Sequence, residues 1–209
     1  MVREYFELHG FYVRQHRKYV APFRQEEEEI DFLVINPRCQ DAAAGADDGE
    51  LRDRPQPERA SLPFVLGSAD LRQVERAIVE VKGWHESIFS AAVLMNAPEI
   101  FRFVEPAALQ RAARSLGGGG RMSAILVIPS LPQNAEAREQ SIQYLRSKGV
   151  DAVLSFRTIL ADLIAEVEVN RNYQKSDLLQ IIRVLKNYDF FKEPQLELFR
   201  SKRKKTPKG

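Results

Sequence analysis

The sequence predicts an α/β fold: a mixed central sheet with an antiparallel three-strand start and a parallel strand, helix, strand end, flanked by helices and carrying extra C-terminal helices. Three observations predict it. "RMSAILVIPS" (121–130) is a continuous apolar strand, "NAEAREQSIQYLRSKG" (134–149) a helix with Asn134 as its cap, and "VDAVLSF" (150–156) another strand, an order that implies two parallel strands joined by a right-handed crossover. Segments 29–35 and 76–84 alternate, each with one wholly apolar face and one face that mixes apolar with charged side chains. The two mixed faces run in opposite orders, which favours antiparallel pairing.

Each element has its own signal. Residues 2–9 set Val2, Tyr5, Phe6 and Leu8 at near-helical spacing, with Gly10 where a C-terminal cap would stand. "FYVRQHRKYV" (11–20) and "EEEEIDFLVINP" (26–37) read as strands joined by a turn around 21–24, the second stopped by Pro37. Residues 38–62 are rich in Ala, Gly, Asp, Arg and Pro and read as a surface insertion or disordered loop, followed by the short apolar piece "PFVLG" (63–67). After the strand at 76–84, "ESIFSAAVLMN" (86–96) places Ile88, Phe89, Ala92 and Val93 along one helical face, ended by Pro98. "PAALQRAARSLG" (106–117) has proline at its first helical position and glycine just past its end. Helices at 157–169 and 176–191 close the chain. Residues 1–160 are thus expected to form one domain, 161–192 a helical extension of it, and 193–209 a basic, disordered tail.

Composition narrows the function. A chain of 209 residues with 44% hydrophobic side chains can bury one sizeable core. No stretch approaches the ~18 apolar residues of a membrane span, and "MVREYFELHG" carries acids where a secretory leader would be basic and then apolar, so no membrane and a cytoplasmic home are expected. The single cysteine, Cys39, excludes an internal disulfide and a Cys-rich zinc cluster, and the histidines at 9, 16 and 85 lack metal-ligand spacing. Any metal site must therefore be built on carboxylates. "RSKRKKTPKG" (200–209) holds six basic side chains, and removing them takes the formal charge from +2 to −4. Affinity for a polyanion must then come from local patches such as "RQHRKY" (14–19) or the tail.

Within "ERAIVEVKGWH" (75–85), Glu80 and Lys82 put two full charges into an isoleucine- and valine-rich strand. An unpaired buried charge costs several kcal/mol. Ile78, Glu80, Lys82 and Trp84 share one face of this strand, and Glu29, Asp31, Leu33 and Ile35 share one face of the earlier one. Antiparallel pairing sets Leu33 or Ile35 beside Ile78, and Asp31 beside Glu80 and Lys82, because facing residues are ~5 Å apart. Two carboxylates so close repel one another unless cations lie between them. Lys82 supplies part of that charge, and a hard divalent ion such as magnesium suits the rest.

These residues, Ile30-Asp31 followed by "FLVI" and Glu80-Val81-Lys82 at the end of "AIVEVKGW", resemble the PD-(D/E)XK nuclease superfamily, the restriction-endonuclease-like fold. The order helix, strand, strand with the aspartate, strand with E-x-K, helix, strand, helix, strand is similar over about residues 1–160. Ile30 stands where the family's proline would be, and the 48 residues from 32 to 79 exceed a bare hairpin, so the 38–62 segment must be looped out.

The resemblance implies metal-dependent hydrolysis of phosphodiester bonds in DNA, with Mg2+ or Mn2+ held by Asp31, Glu80 and the backbone carbonyl of Val81. It assigns Lys82 to orienting the attacking water and stabilising charge on the phosphate. Many members add a first-helix glutamate; Glu4 or Glu7 matches, Glu4 being slightly favoured. Glu29 is a supporting group behind Asp31 or a solvent-exposed acid. Trp84 stacks on a base or packs on the following helix, and His85 contacts phosphate or is a turn residue. Arg14, Arg17 and Lys18, with His16, contact the nucleic-acid backbone or solubilise an exposed strand. Many such nucleases pair up to cut two strands, so a homodimer is compatible with the reading. The competing class is a non-catalytic nucleic-acid-binding or protein-interaction module that retains the fold.

Overall fold

The computed structural model describes residues 1–15, 30–39, 62–83, 88–117 and 121–191, and the chain divides into two compact units, Met1–Ala165 and Glu166–Gly209. In the first, α1 (Val2–Leu8) buries Val2, Tyr5 and Phe6, a helical stripe of three and four residues' spacing. Gly10, at φ +86°, reverses the chain into β1 (Tyr12–Gln15). β1 pairs antiparallel with β2 (Phe32–Ile35), and β2 antiparallel with β3 (Arg76–Val81). β4 (Met122–Ile128) and β5 (Ala152–Ser155) then add in parallel, giving the order β1-β2-β3-β4-β5. The chain is therefore α/β with a five-stranded mixed open sheet, antiparallel at one side and parallel at the other.

The register follows the apolar pattern. Leu33 faces Ile78, and Ile78 faces Ala124, so one row of buried side chains crosses β2, β3 and β4. The next row sets Glu80 beside Leu126, and Leu126 beside Val153. Each fully buried aliphatic side chain contributes about 1.5–3 kcal/mol. This face is covered by Phe89, by Leu94 of α2 (Ala91–Met95), by Ile100 and Phe103 of a 3-10 helix (Pro98–Val104), and by Ala112 of α3 (Pro106–Ser115).

Several boundaries depart from the sequence reading. The helix expected over 86–96 spans only Ala91–Met95, capped by Ser90, whose hydroxyl accepts the Val93 N–H. Ile88, expected on its buried face, is 48% exposed, and Leu94 is buried instead. Pro98 ends that helix but also opens the 3-10 helix, as a residue with preset φ does. The expected strand 76–84 stops at Val81 and the helix expected over 157–169 stops at Glu166. "PFVLG" joins the sheet: Val153 N–H donates to Phe64 O (2.7 Å) and Leu66 N–H to Val153 O (2.9 Å), which covers the β5 edge. The distal half of the first strand, its turn, nearly all of the 38–62 insertion and the basic tail lie outside the described residues.

The predicted caps are in place. Pro106 opens α3, and Gly117 follows it at φ +83°. Asn134 Oδ1 accepts the Glu136 and Ala137 N–H groups at the start of α4 (Ala135–Ser147). A further cap carried no sequence expectation: Ser155 Oγ accepts the Thr158 N–H (3.0 Å) at the start of α5 (Phe156–Glu166). Among the described residues no helix is long and apolar enough to cross a membrane.

Tyr5 ties α1 to α5 by donating its hydroxyl to Asp162 Oδ2 (3.0 Å). Burial, then the charge and hydrogen bond of Asp162 and the charge of Asp70, push the phenol far above its ordinary value of 10.0. In the unfolded chain it ionises near that value, so the stability it contributes is complete below pH ~10 and is lost as pH rises beyond it. Tyr5→Phe is expected to cost about 1 kcal/mol at neutral pH and to flatten the alkaline limb of a plot of unfolding free energy against pH. An unchanged limb would place the alkaline sensitivity elsewhere.

The second unit contains α6 (Asp177–Asn187), capped by Ser176, whose hydroxyl accepts the Leu179 N–H. Lys186 and Arg183 on this helix donate to the carbonyls of Val167 and Val169, which holds the incoming segment against α6.

Candidate active site

The strands β3, β4 and β5 run parallel, so their carboxyl ends lie at one edge of the sheet. The start of the antiparallel β2 and the end of β1 lie there too. Open α/β sheets hold ligands at this edge, where the chain leaves the strands for loops and helices. A cleft of about 1060 Å3 opens there, lined by Gln15, Asp31, Val81, Lys82, Gly83 and Phe156 from strand ends, by Glu4 and its neighbours from α1, and by Phe89, Val93, Glu99 and Ile100 from the other side.

Asp31 reaches this edge by a route the alternation pattern misstates. It precedes β2 at a bend instead of lying inside the strand. Ile30, expected on the face of Phe32 and Val34, packs with Leu33 and Ile78 in the core cluster. The β2–β3 ladder ends at Phe32 opposite Val79, and beyond it the Val81 N–H donates to Asp31 Oδ2 at 2.9 Å. A side-chain carboxylate thus takes a donor that a longer strand would have given to a carbonyl. It sets Asp31 against the peptide that links Glu80 to Val81, and at the cleft.

Glu80 is only 5% exposed, in a row with Leu126 and Val153. A carboxylate there loses its hydration and requires a cation or donors. Lys82 provides one: its ammonium lies 2.5 Å from Glu80 Oε1, with the lysine side chain 32% exposed and the glutamate side chain 7%. Although β3 ends at Val81, Lys82 is held in line because its N–H donates to Val127 O of β4 (2.9 Å). Asp31 and Lys82 therefore line the cleft, and Glu80 stands behind them.

The structure separates the two first-helix glutamates. Glu4 lines the cleft with Asp31 and Lys82, whereas Glu7 is exposed and pairs with Arg3 (2.8 Å), an exposed contact worth under ~1 kcal/mol. Burial pushes the Glu4 carboxyl up, but the Met1 ammonium beside it, its own backbone N–H and Arg3 outweigh this and hold it below its ordinary value.

Arg14 is not among the cleft-lining residues. It shares the Leu33 side of the sheet and donates to Ser115 O (3.4 Å), while Arg76 donates to Leu116 O (3.3 Å), so two arginines meet the carbonyl end of α3. Glu29, His16, Arg17, Lys18, Trp84 and His85 lie outside the described residues.

Asp31, Glu80 and the Val81 carbonyl are oxygen donors, the kind a hard divalent ion takes, with Asp31 just before β2 and bonded to the Val81 N–H, and Glu80 and Val81 at the end of β3. Among the described residues, no group of three or more His, Cys, Asp or Glu side chains is gathered for a metal. Compared with protein-family models, curated proteins and solved structures, the chain matches none.

Sequence reasoning missed Gly83, Phe156 and Glu99. Gly83 follows Lys82 directly and carried a signal, because a glycine at a strand end marks close approach. A Cβ there would lie 2.5 Å from Cε2 and 2.7 Å from Cζ of Phe156, so the ring rests on the Gly83 backbone.

Proposed function

We propose that the chain hydrolyses phosphodiester bonds of DNA with a divalent cation, on a restriction-endonuclease-like sheet of the PD-(D/E)XK type. The observation that carries this reading is the contact of Asp31 Oδ2 with the Val81 N–H, next to the Glu80–Lys82 pair and at a cleft. Element order supports it: a helix, three antiparallel strands with acidic residues at the end of the second hairpin, then parallel strands.

Asp31, Glu80 and the Val81 carbonyl would hold Mg2+ or Mn2+. When bound, such an ion polarises the phosphate and lowers the pKa of an attacking water. The residues of the chain do the rest. The Val81 N–H orients the Asp31 carboxylate. Lys82 neutralises Glu80 and, being partly exposed at the cleft, can turn its ammonium toward a phosphate oxygen, where a preorganised cation favours the developing charge. Glu4, ionised at neutral pH, faces the same space and would orient water.

The test is incubation of plasmid, linear and single-stranded DNA with the wild type and with Asp31→Ala, Glu80→Ala and Lys82→Ala, with and without Mg2+ or Mn2+. Cutting should require the metal and fall by at least about a hundredfold in each variant that remains folded. Cutting that survives both carboxylate changes would overturn the proposal. Binding without cutting by the wild type would leave a non-catalytic nucleic-acid-binding module.

A further inference from the structure

The walls of the cleft bear on which DNA it takes, an inference that rests on the nuclease reading for the identity of the ligand. Duplex affinity comes mainly from cations on phosphates. Among the described lining residues the side-chain cations are Arg3, paired with Glu7, and Lys82, which pairs with Glu80 and is partly exposed, so the described wall offers a single phosphate contact at Lys82 and no row of them. Three carboxylates, Glu4, Asp31 and Glu99, line the same space. Much of the remaining wall is apolar or aromatic, with Phe89, Val93 and Ile100 on one side and Phe156 on another. Its volume of about 1060 Å3 is on the scale of a few nucleotides.

Phe156 is held in place. It is the first residue of α5, whose N-terminus Ser155 caps through Thr158, and its ring lies against the Gly83 backbone, so a Cβ at Gly83 would come within 2.5 Å of it. A fixed, half-buried ring beside Lys82 presents an aromatic surface at low entropic cost, the device by which single strands are bound without regard to sequence.

We infer that the cleft accepts an unpaired strand of DNA, with one base against Phe156 and the adjoining phosphate at Lys82. Phe156 is then the specificity-determining residue, favouring single strands or frayed ends over intact duplex.

Anisotropy of a fluorescein-labelled oligothymidine and of a labelled hairpin duplex, titrated with the full chain in EDTA, measures this apart from cutting. The single strand should bind at least about tenfold more tightly. Phe156→Leu should weaken that binding about tenfold while leaving duplex binding unchanged, and Phe156→Trp should retain it. Equal or tighter duplex binding, or no loss of single-strand affinity in a folded Phe156→Leu, would overturn the inference. Single-strand preference without any metal-dependent cutting would support it and overturn the nuclease reading, whereas cutting of duplex alone would do the reverse.

Discussion

Lys82→Met is expected to lower the unfolding free energy by about 2–4 kcal/mol, whereas Glu80→Gln is expected to change it by less than about 1 kcal/mol in either direction. The asymmetry comes from burial. Glu80 is 5% exposed and stands in a row with Leu126 and Val153, so its charge is left poorly hydrated when the ammonium is removed. Lys82 has a side chain 32% exposed on a long flexible stem, so its charge can turn to solvent when the carboxylate becomes an amide. The cost falls below the ~3–5 kcal/mol of a fully enclosed pair for the same reason, because solvent already screens the lysine. Urea denaturation followed by circular dichroism measures both. On the nuclease reading the two variants share a loss of cutting and differ in stability, and Glu80→Gln becomes a folded, inactive protein. If Glu80→Gln proves the more destabilising of the two, the glutamate is a structural anchor and its place in the catalytic reading is lost.

Gly83→Ala is expected to destabilise the protein by about 1–3 kcal/mol, and to do so only while Phe156 is present. Two effects oppose each other at this position. Alanine restricts the unfolded chain, which stabilises by about 0.4–1 kcal/mol where the backbone permits it. Against this, its Cβ would sit 2.5 Å and 2.7 Å from two ring atoms of Phe156 and 3.6 Å from Pro129 Cγ, so the ring must leave its place. The clash is the larger effect because the ring is half-buried at the capped start of α5. In a Phe156→Ala background the clash is gone and the same change should be neutral or slightly stabilising, a reversal of sign that a double-mutant cycle reads directly. Additive effects in that cycle would show that the ring does not depend on the glycine. On the nuclease reading, metal-dependent cutting should fall with Gly83→Ala as well, since Lys82 is the adjoining residue.

The mixed sheet was legible in the sequence. The opposite order of charged and apolar residues in 29–35 and 76–84 implied antiparallel pairing, and Leu33 does face Ile78. The apolar run at 121–130, the Asn134-capped helix and the run at 150–156 implied the parallel crossover, and β4 and β5 do pair in parallel, within narrower bounds. Strand alternation failed at Asp31, where the chain bends and the carboxylate, not a carbonyl, meets the Val81 N–H. It failed there because period-two reasoning assumes that the strand continues. Composition left Arg14 as either a nucleic-acid backbone contact or a solubilising charge on an exposed strand, whereas its bond to Ser115 O at the carbonyl end of α3, distant in sequence, carried no local signal.

Glu4 and Glu7 show the same division. Both belong to one short helix, and its spacing alone allowed either, whereas the packing of α1 beside the strand ends turns Glu4 to the cleft and leaves Glu7 with Arg3. The sequence by itself determined the α/β class, the antiparallel start and the parallel end of the sheet, and the placing of Asp31, Glu80 and Lys82 as charges near one end of it, since these follow from side-chain periodicity and from the cost of burying charge. The tertiary structure alone decided that Phe156 and Glu99 share a cleft with Asp31 and Lys82 and that Gly83 must lack a side chain. Phe156 reaches Gly83 only through the crossover of β4, α4 and β5, and Glu99 reaches the cleft from the 3-10 helix between β3 and β4, and no local period in a chain encodes contacts made that way.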